Sequence, residues 1–240
     1  MTLMPMVMGW PQDGLDPRLR KAFEVAVHAG AGLALAVDLR AEIAEEALHL
    51  DRRRLAVMAL SLGPPALAGL ALHGPIERRL GGPRSIAAGL IAGSIAMAAG
   101  ERLNGSRSRG RTDARPLDGL ALGAAQAAAL LPGVSRSGAT LAAARMRGFT
   151  RADSQTLCWH AALPVILGAG SLTGFRLARE GAPPGARAAL GAGAAAAFWS
   201  TLASARLLRG RVSGPLLLAA GAYRCLLALF LIRRARAGAK

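Results

Sequence analysis

Apolar stretches of helix length alternate with short polar links along the whole chain. The pattern predicts spans over Phe23–Leu39, Leu55–Leu72, Ser85–Ala99, Ser154–Leu177, Ala188–Leu208 and Pro215–Ile232. Phe23–Leu39 carries Glu24, His28 and Asp38, so it faces other helices or a cavity rather than lipid. The links are Arg40–Arg54, with charges of both signs, Pro75–Arg84, with Pro and Gly breakers, and Glu101–Arg115, the most polar of them. Ser85–Ala99 is rich in Gly, Ala and Ser, which suits close helix packing.

One stretch breaks the pattern. Leu117–Leu131 is apolar but only about half to three-quarters of a full crossing. Pro132-Gly133 stops it, and Gly138–Met146 reads as a second short helical piece. Two short pieces around a Pro/Gly break predict a discontinuous or re-entrant helix that exposes backbone groups near the membrane midplane. Arg145, Arg147 and Arg151 then mark a surface link. The expected fold is all-α: a polytopic integral membrane protein with a re-entrant helix pair. The flexible, basic run Asn104–Arg111 divides the chain into halves, 1–115 and 116–240. Arginine counting leaves the topology open. Leu117–Met146 as a net crossing puts the basic tail Arg233–Lys240 beside the Arg40–Arg54 and Arg102–Arg115 links, and a re-entrant hairpin puts it on the opposite side.

Composition agrees with a membrane protein. The 240 residues are 52% hydrophobic and 4% aromatic, and mean hydropathy is +0.34. The net charge of +16 is almost all arginine and sits in the links, where anionic headgroups account for it. No basic stripe is interleaved with aromatics, which sets nucleic acid aside. Cys158 and Cys225 lie far apart in apolar stretches, without metal-ligand spacing, and read as small buried hydrophobes. Met1–Trp10 is apolar but lacks the basic n-region and cleavage site of a signal peptide, and reads as the end of something that began earlier.

The chemistry concentrates at the break. Gly133 and Gly138 permit backbone angles and close approach that other residues resist. Ser137 is placed to cap the following helix, whose free N–H groups and dipole make an anion site. Arg136 supplies a planar fork matched to phosphate oxygens, and Ser135 and Thr140 add hydroxyls. The sum is a phosphate or diphosphate cradle at membrane depth. It is not a Walker A loop, since no Gly-Lys-Ser/Thr follows. The structural alternative is a Pro/Gly kink whose arginine snorkels to an interface.

The run Ala125-Gln126-Ala127-Ala128-Ala129-Leu130-Leu131-Pro132-Gly133-Val134-Ser135-Arg136-Ser137-Gly138-Ala139-Thr140 resembles the second signature of bacterial undecaprenyl-diphosphatases of the bacitracin-resistance type, Pro-Gly-x-Ser-Arg-Ser-x-x-Thr. Trp10-Pro11, Phe23-Glu24-Val25, Ala162–Ala169 and Tyr223-Arg224 resemble further family segments in family order. The resemblance implies a multi-pass phosphatase of the bacterial cytoplasmic membrane. Such an enzyme releases phosphate from undecaprenyl diphosphate, on the outer side of that membrane, to recycle the lipid carrier of peptidoglycan. It also implies an inverted-repeat fold with paired re-entrant helices. No stretch here matches the family's whole first signature, a Glu-x-x-x-Glu pair followed by a Ser/Thr-rich turn and a histidine. A faint echo between Val27-His28-Ala29 and Trp159-His160-Ala161 places that signature near or before Met1. The expectation is a truncated first repeat, either because the chain begins downstream of the signature or because it is a degenerate relative; the intact second signature favours the former.

By resemblance, Arg136 and Ser135 are the catalytic candidates, and Gly133, Ser137, Gly138, Thr140 and Arg224 the substrate-binding ones. Glu24 and His28, four apart on one helix face, are candidate accessory groups for proton transfer or for a divalent cation such as Mg or Ca; helix packing is the competing reading. Gln126 and His160 read as packing or supporting groups. The partners expected are undecaprenyl diphosphate, the membrane and a second copy in a homodimer. A non-catalytic isoprenoid-phosphate binder or transporter is the alternative function, and a structural membrane subunit the third.

Overall fold

The computed structural model describes residues 16–104, 107–180, 185–208 and 213–237. Met1–Trp10, Trp10-Pro11, residues 105–106 of the dividing link and residues 238–240 of the tail lie outside them. The described elements are α1 (Pro17–Asp38), α2 (Arg40–Leu48), α3 (Arg52–Leu80), α4 (Pro83–Asn104), a 3-10 turn (Arg111–Asp113), α5 (Pro116–Ala128), α6 (Arg136–Met146), α7 (Arg151–Glu180), α8 (Arg187–Leu208) and α9 (Gly214–Ala237). The chain is an all-α membrane protein. Among the described residues, four helical stretches are long and apolar enough to cross a bilayer: Arg52–Leu72, Pro83–Asn104, Arg187–Leu207 and Gly214–Arg236.

Two compact units form, and α7 runs through both. In the first, described residues of 16–48 and 163–208, α1 packs on α8. Small residues allow it. A Cβ on Gly30 would lie 2.1 Å from the Ala194 carbonyl oxygen, and one on Gly193 would lie 2.6 Å from Phe23. Ala22, Ala186 and Leu190 form the apolar centre.

In the second unit, described residues of 49–162 and 213–237, α3 packs on α5, α4 on α6 and α9, and α5 on α6. Val57, Ala114, Leu122, Ala144, Phe149 and Leu157 form its core. The short pair α5–α6 is a re-entrant hairpin. Its two ends meet at one base, where Arg109 N–H donates to the Gly148 carbonyl (2.9 Å) and Thr150 N–H to the Arg109 carbonyl (3.0 Å). Arg109 and Arg147, next to those ends, grip the same carboxylate on α5. The open question of crossing or hairpin is thus settled within this unit. The α9 N-terminus lies at the base, with Gly214 beside Arg151 and Glu101, so the cationic end of α9 lies at the far end of the unit.

Two predicted boundaries move. The link expected from Pro75 is helical to Leu80, and the break falls at Gly81-Gly82 with Pro83 opening α4. A proline removes one backbone donor, which a long helix absorbs; two glycines before a proline remove the reason to continue. The second piece of the hairpin starts at Arg136 rather than Gly138, for the capping reason given below.

Gly30→Val is expected to lower the stability of the first unit by about 1–3 kcal/mol, because backbone rather than a flexible side chain occupies the space. Thermal unfolding in detergent, with Gly63→Ala as the control in open space, measures it.

Candidate functional site

The turn between α5 and α6 tightens from Ala128 onward. Leu130 and Leu131 N–H groups bond the Ala127 and Ala128 carbonyls, and Val134 N–H bonds the Leu131 carbonyl (3.1 Å each). Gly133 then takes φ +92°, the left-handed region that favours glycine. The turn lies flush on α4. A Cβ on Gly133 would fall 2.1 Å from the Ile86 carbonyl oxygen, and one on Gly89 2.2 Å from the Pro132 carbonyl oxygen. Gly89 and Gly93 lie about 9 and 15 Å along a helix of about 33 Å. The turn therefore lies within the first half of a spanning helix, against Ile86, Gly89 and Leu90, with Ser135 reaching Gly93.

Ser135 has extended backbone angles (φ −78°, ψ 123°) and caps α6, its Oγ accepting the Gly138 N–H at 3.1 Å. This corrects the assignment of the cap to Ser137, which is the second residue of the helix and exposed. Ala139 N–H bonds the Ser135 carbonyl at 2.8 Å, so the N–H groups of Arg136 and Ser137 have no acceptor within the helix. Those two N–H groups, the helix dipole, the Ser135 hydroxyl and Arg136 all belong to one helix start, and each can donate to an anion there. Arg136 is half-buried, and no hydrogen-bond or ion-pair partner is seen for its guanidinium among the described residues.

The other predicted residues are placed differently. Thr140 is 1% exposed and turns its hydroxyl back to the Arg136 carbonyl (2.9 Å) and the Ser137 carbonyl (3.2 Å), bracing the helix start. Gly138 seats α6 on α4, since a Cβ there would meet Met97 Sδ at 2.7 Å. Arg224 on α9 reaches the turn itself. Its Nη2 donates to the Gly133 carbonyl at 2.8 Å and its Nε to Ser94 Oγ at 3.3 Å. Gln126 is buried, and its Nε2 donates to the Ser61 carbonyl at 3.0 Å, tying α5 to α3. Glu24 and His28 belong to the first unit. His28 Nδ1 bonds the Glu24 carbonyl at 2.7 Å, and the Glu24 carboxylate faces Arg20 at 3.7 Å, so the two side chains are not paired with each other. Among the described residues no group of three or more His, Cys, Asp or Glu is placed to hold a metal. Both cysteines are free, Cys158 buried and Cys225 half-buried.

Two carboxylates missed in the sequence hold the base of the hairpin. Asp118 is fully buried and accepts from Arg109 Nη1 and Nη2 (3.3 and 2.8 Å), Arg147 Nε (2.6 Å) and the Arg115 N–H (2.8 Å). Glu101 takes Arg145 Nε on one oxygen (3.0 Å) and Arg151 on the other (2.6 Å). Arg109 also stacks on the Phe149 ring at 4.4 Å. The available signal was Asp118 three residues after Arg115 at a helix start, a capping-box position. For the turn, the signal was Gly89 and Gly93 spaced by four on one face of α4.

These features define a helical membrane protein that presents an anion-binding helix start on a re-entrant hairpin. The profile of the bacitracin resistance protein BacA family matches residues 1–230. The undecaprenyl-diphosphatase of Geobacter sulfurreducens is 38% identical over 221 residues, covering 86% of this chain and 79% of that protein. That of Geobacter metallireducens is 35% identical, covering 76% and 70%. That of Campylobacter concisus is 31% identical, covering 96% and 88%. The chain belongs to the bacitracin resistance protein BacA family.

Gly133→Ala is expected to weaken inorganic diphosphate binding at least tenfold in calorimetry, since a Cβ there meets backbone and left-handed angles together cost about 1–3 kcal/mol. Wild-type affinity in that variant would show that the turn need not lie against α4.

Burial pushes the Asp118 carboxyl up, but the hydrogen bonds from Arg109, Arg115 and Arg147 outweigh it and leave the group below the ordinary carboxylate value. A depressed folded value stabilises the folded state above the unfolded value, about 3.9, and that contribution is lost as pH falls through the folded value. Asp118→Asn should therefore lower the melting temperature at neutral pH and abolish the part of acid destabilisation seen below about pH 4 in wild type. Thermal melts across pH 2.5–7, roughly the window that brackets the carboxylate range, check this.

Proposed function

We propose that this chain acts as an undecaprenyl-diphosphatase of the bacterial cytoplasmic membrane, releasing phosphate from undecaprenyl diphosphate. The observation that carries the reading is Arg136. It is a half-buried guanidinium at a turn packed within the first half of a spanning helix, beside free helix N–H groups, with no protein acceptor seen among the described residues. A cation at that depth calls for an anionic partner. The family profile spans nearly the whole chain, and the named relatives are undecaprenyl-diphosphatases.

In the reaction, water adds to the terminal phosphorus, the bridging P–O bond breaks, and undecaprenyl phosphate leaves. Charge rises on the bridging and equatorial oxygens as the bond breaks. Arg136, the Arg136 and Ser137 N–H groups and the Ser135 O–H are donors fixed in place for that charge. Ser135 is free to donate because its lone pair, not its proton, engages Gly138. Such preorganised donors act most strongly where water is excluded. Arg224 and Thr140 hold the turn and the helix start in register for them.

Arg136→Lys keeps the charge and loses the fork. It is expected to lower the rate of phosphate release from undecaprenyl diphosphate by about 100-fold or more, with the melting temperature unchanged. Full activity in that variant refutes the role given to Arg136. Binding of undecaprenyl diphosphate by the wild type without any phosphate release would instead identify a non-catalytic isoprenoid-phosphate binder.

A further inference from the structure

We propose that the groove between α4 and α9 holds the first isoprene units of a prenyl diphosphate whose head lies at the Arg136 turn; this rests on the function proposed above. The groove is a cavity of about 240 Å³ within the second unit. Ser94, Met97 and Ala98 line it from α4, and Leu217, Gly221 and Cys225 from α9. Its near end, at Ser94, is joined to the turn through Arg224. Ser94 is hydrogen-bonded to Arg224, Arg224 holds the Gly133 carbonyl, and Cys225 is the next residue. From there it runs about 10 Å along α4 toward Glu101, at ~1.5 Å per residue.

Its chemistry suits a hydrocarbon chain. The two polar residues on its border are already engaged. The Ser94 hydroxyl donates to the Leu90 carbonyl at 2.8 Å and accepts from Arg224, and Glu101 is held by Arg145 and Arg151. Ile95 and Leu218 on its rims are 63% and 55% exposed, so the rest of a long chain can leave sideways into the bilayer. The depth of the turn selects the occupant. A bulk phospholipid keeps its headgroup at the interface, not at the depth of the turn. A chain tethered to an anion at the turn starts beside Ser94, at the end of the groove away from Glu101.

Binding to the purified full chain in detergent tests this, with inorganic diphosphate and farnesyl diphosphate as probes. Gly221→Leu and Ala222→Trp both project bulk over the groove, and a Cβ on Gly221 meets only Ser94 Cβ at an ordinary 3.7 Å. Each should weaken farnesyl diphosphate about tenfold, or about 1.4 kcal/mol, and leave inorganic diphosphate unchanged. Equal loss for both probes, or for neither, overturns the groove. A measurement on the wild type guards against misfolded variants: undecaprenyl diphosphate carrying a diazirine in its first isoprene units should label peptides containing Ser94–Glu101 and Leu217–Cys225. Labelling only elsewhere overturns the proposal, as does suppression by phosphatidylglycerol equal to that by unlabelled undecaprenyl diphosphate. If the wild type hydrolyses undecaprenyl diphosphate while these tests fail, the groove is wrong and the function stands. If it neither binds nor hydrolyses that lipid, the function fails and the groove with it.

Discussion

The contact between the Pro132-Gly133 turn and the backbone of α4 is the constraint on which the second unit depends. Glycine stands on both sides of it, Gly133 on the turn and Gly89 on the helix, so main chain meets main chain with no side chain between. That fixes the depth of the turn and the direction in which α6 leaves it. Further along α4, Gly138 rests on Met97, and Gly100 admits Ala142 so closely that its Cβ would lie 2.8 Å from the Ala142 Cα. A turn at such depth has polar backbone that lipid cannot satisfy. Arg224 answers this from α9 by donating to the Gly133 carbonyl, and Gly93 leaves room for the guanidinium to reach it.

The same unit is closed at its base by charge. Asp118 and Glu101 each draw two arginines from different elements, so the ends of α4, α5, α6 and α7 are bound to one another near the surface. Breaking a pair whose acid is fully buried strands that acid. Arg109 and Arg147, the donors to Asp118, reach solvent, so the gain from those pairs is smaller than in a dry interior. The base and the turn thus fix the hairpin at both of its ends by different means. Hydrophobic burial plays a smaller part in such short helices, and α6 in particular buries glycine, alanine, threonine and the paired Arg145 rather than large apolar side chains.

Much of this was legible in the sequence, and the limits have physical causes. Apolar runs such as Leu55–Leu72 located spanning helices, because length and composition alone decide whether a segment can cross. Pro132-Gly133 between two short apolar pieces located the hairpin, because backbone cannot break in a bilayer without an internal reason. The cap was misassigned to Ser137 because two serines flank Arg136, and only the extended angles at Ser135 choose between them. Arg224 looked like a phosphate contact or an interfacial cation; its bonds to Gly133 and Ser94 join residues 91 and 130 positions apart, which no local pattern encodes. Glu101 was unremarked for the same reason, since an acid in an arginine-rich link reads as solvated until its partners converge. Arginine counts could not separate hairpin from crossing because both leave the same residues in the same links.

What distinguishes the site is where its arginines find acceptors. Arg109, Arg145, Arg147 and Arg151 have carboxylates at the base. Arg224 has a backbone carbonyl and a hydroxyl. The Arg136 side chain is in the same unit and half-buried, yet among the described residues it has neither. A structural cation in apolar surroundings would be neutralised by the fold, as its neighbours are. A binding cation must be left incomplete, so that the missing acceptor arrives with the ligand. The free N–H groups of Arg136 and Ser137 point to the same conclusion independently. Capping by Ser137, or a carboxylate on α4 opposite the turn, would have satisfied the helix start and removed the reason for an anion to bind. The sequence instead places the cap one residue before Arg136 and glycine opposite the turn, and both choices keep the donors open.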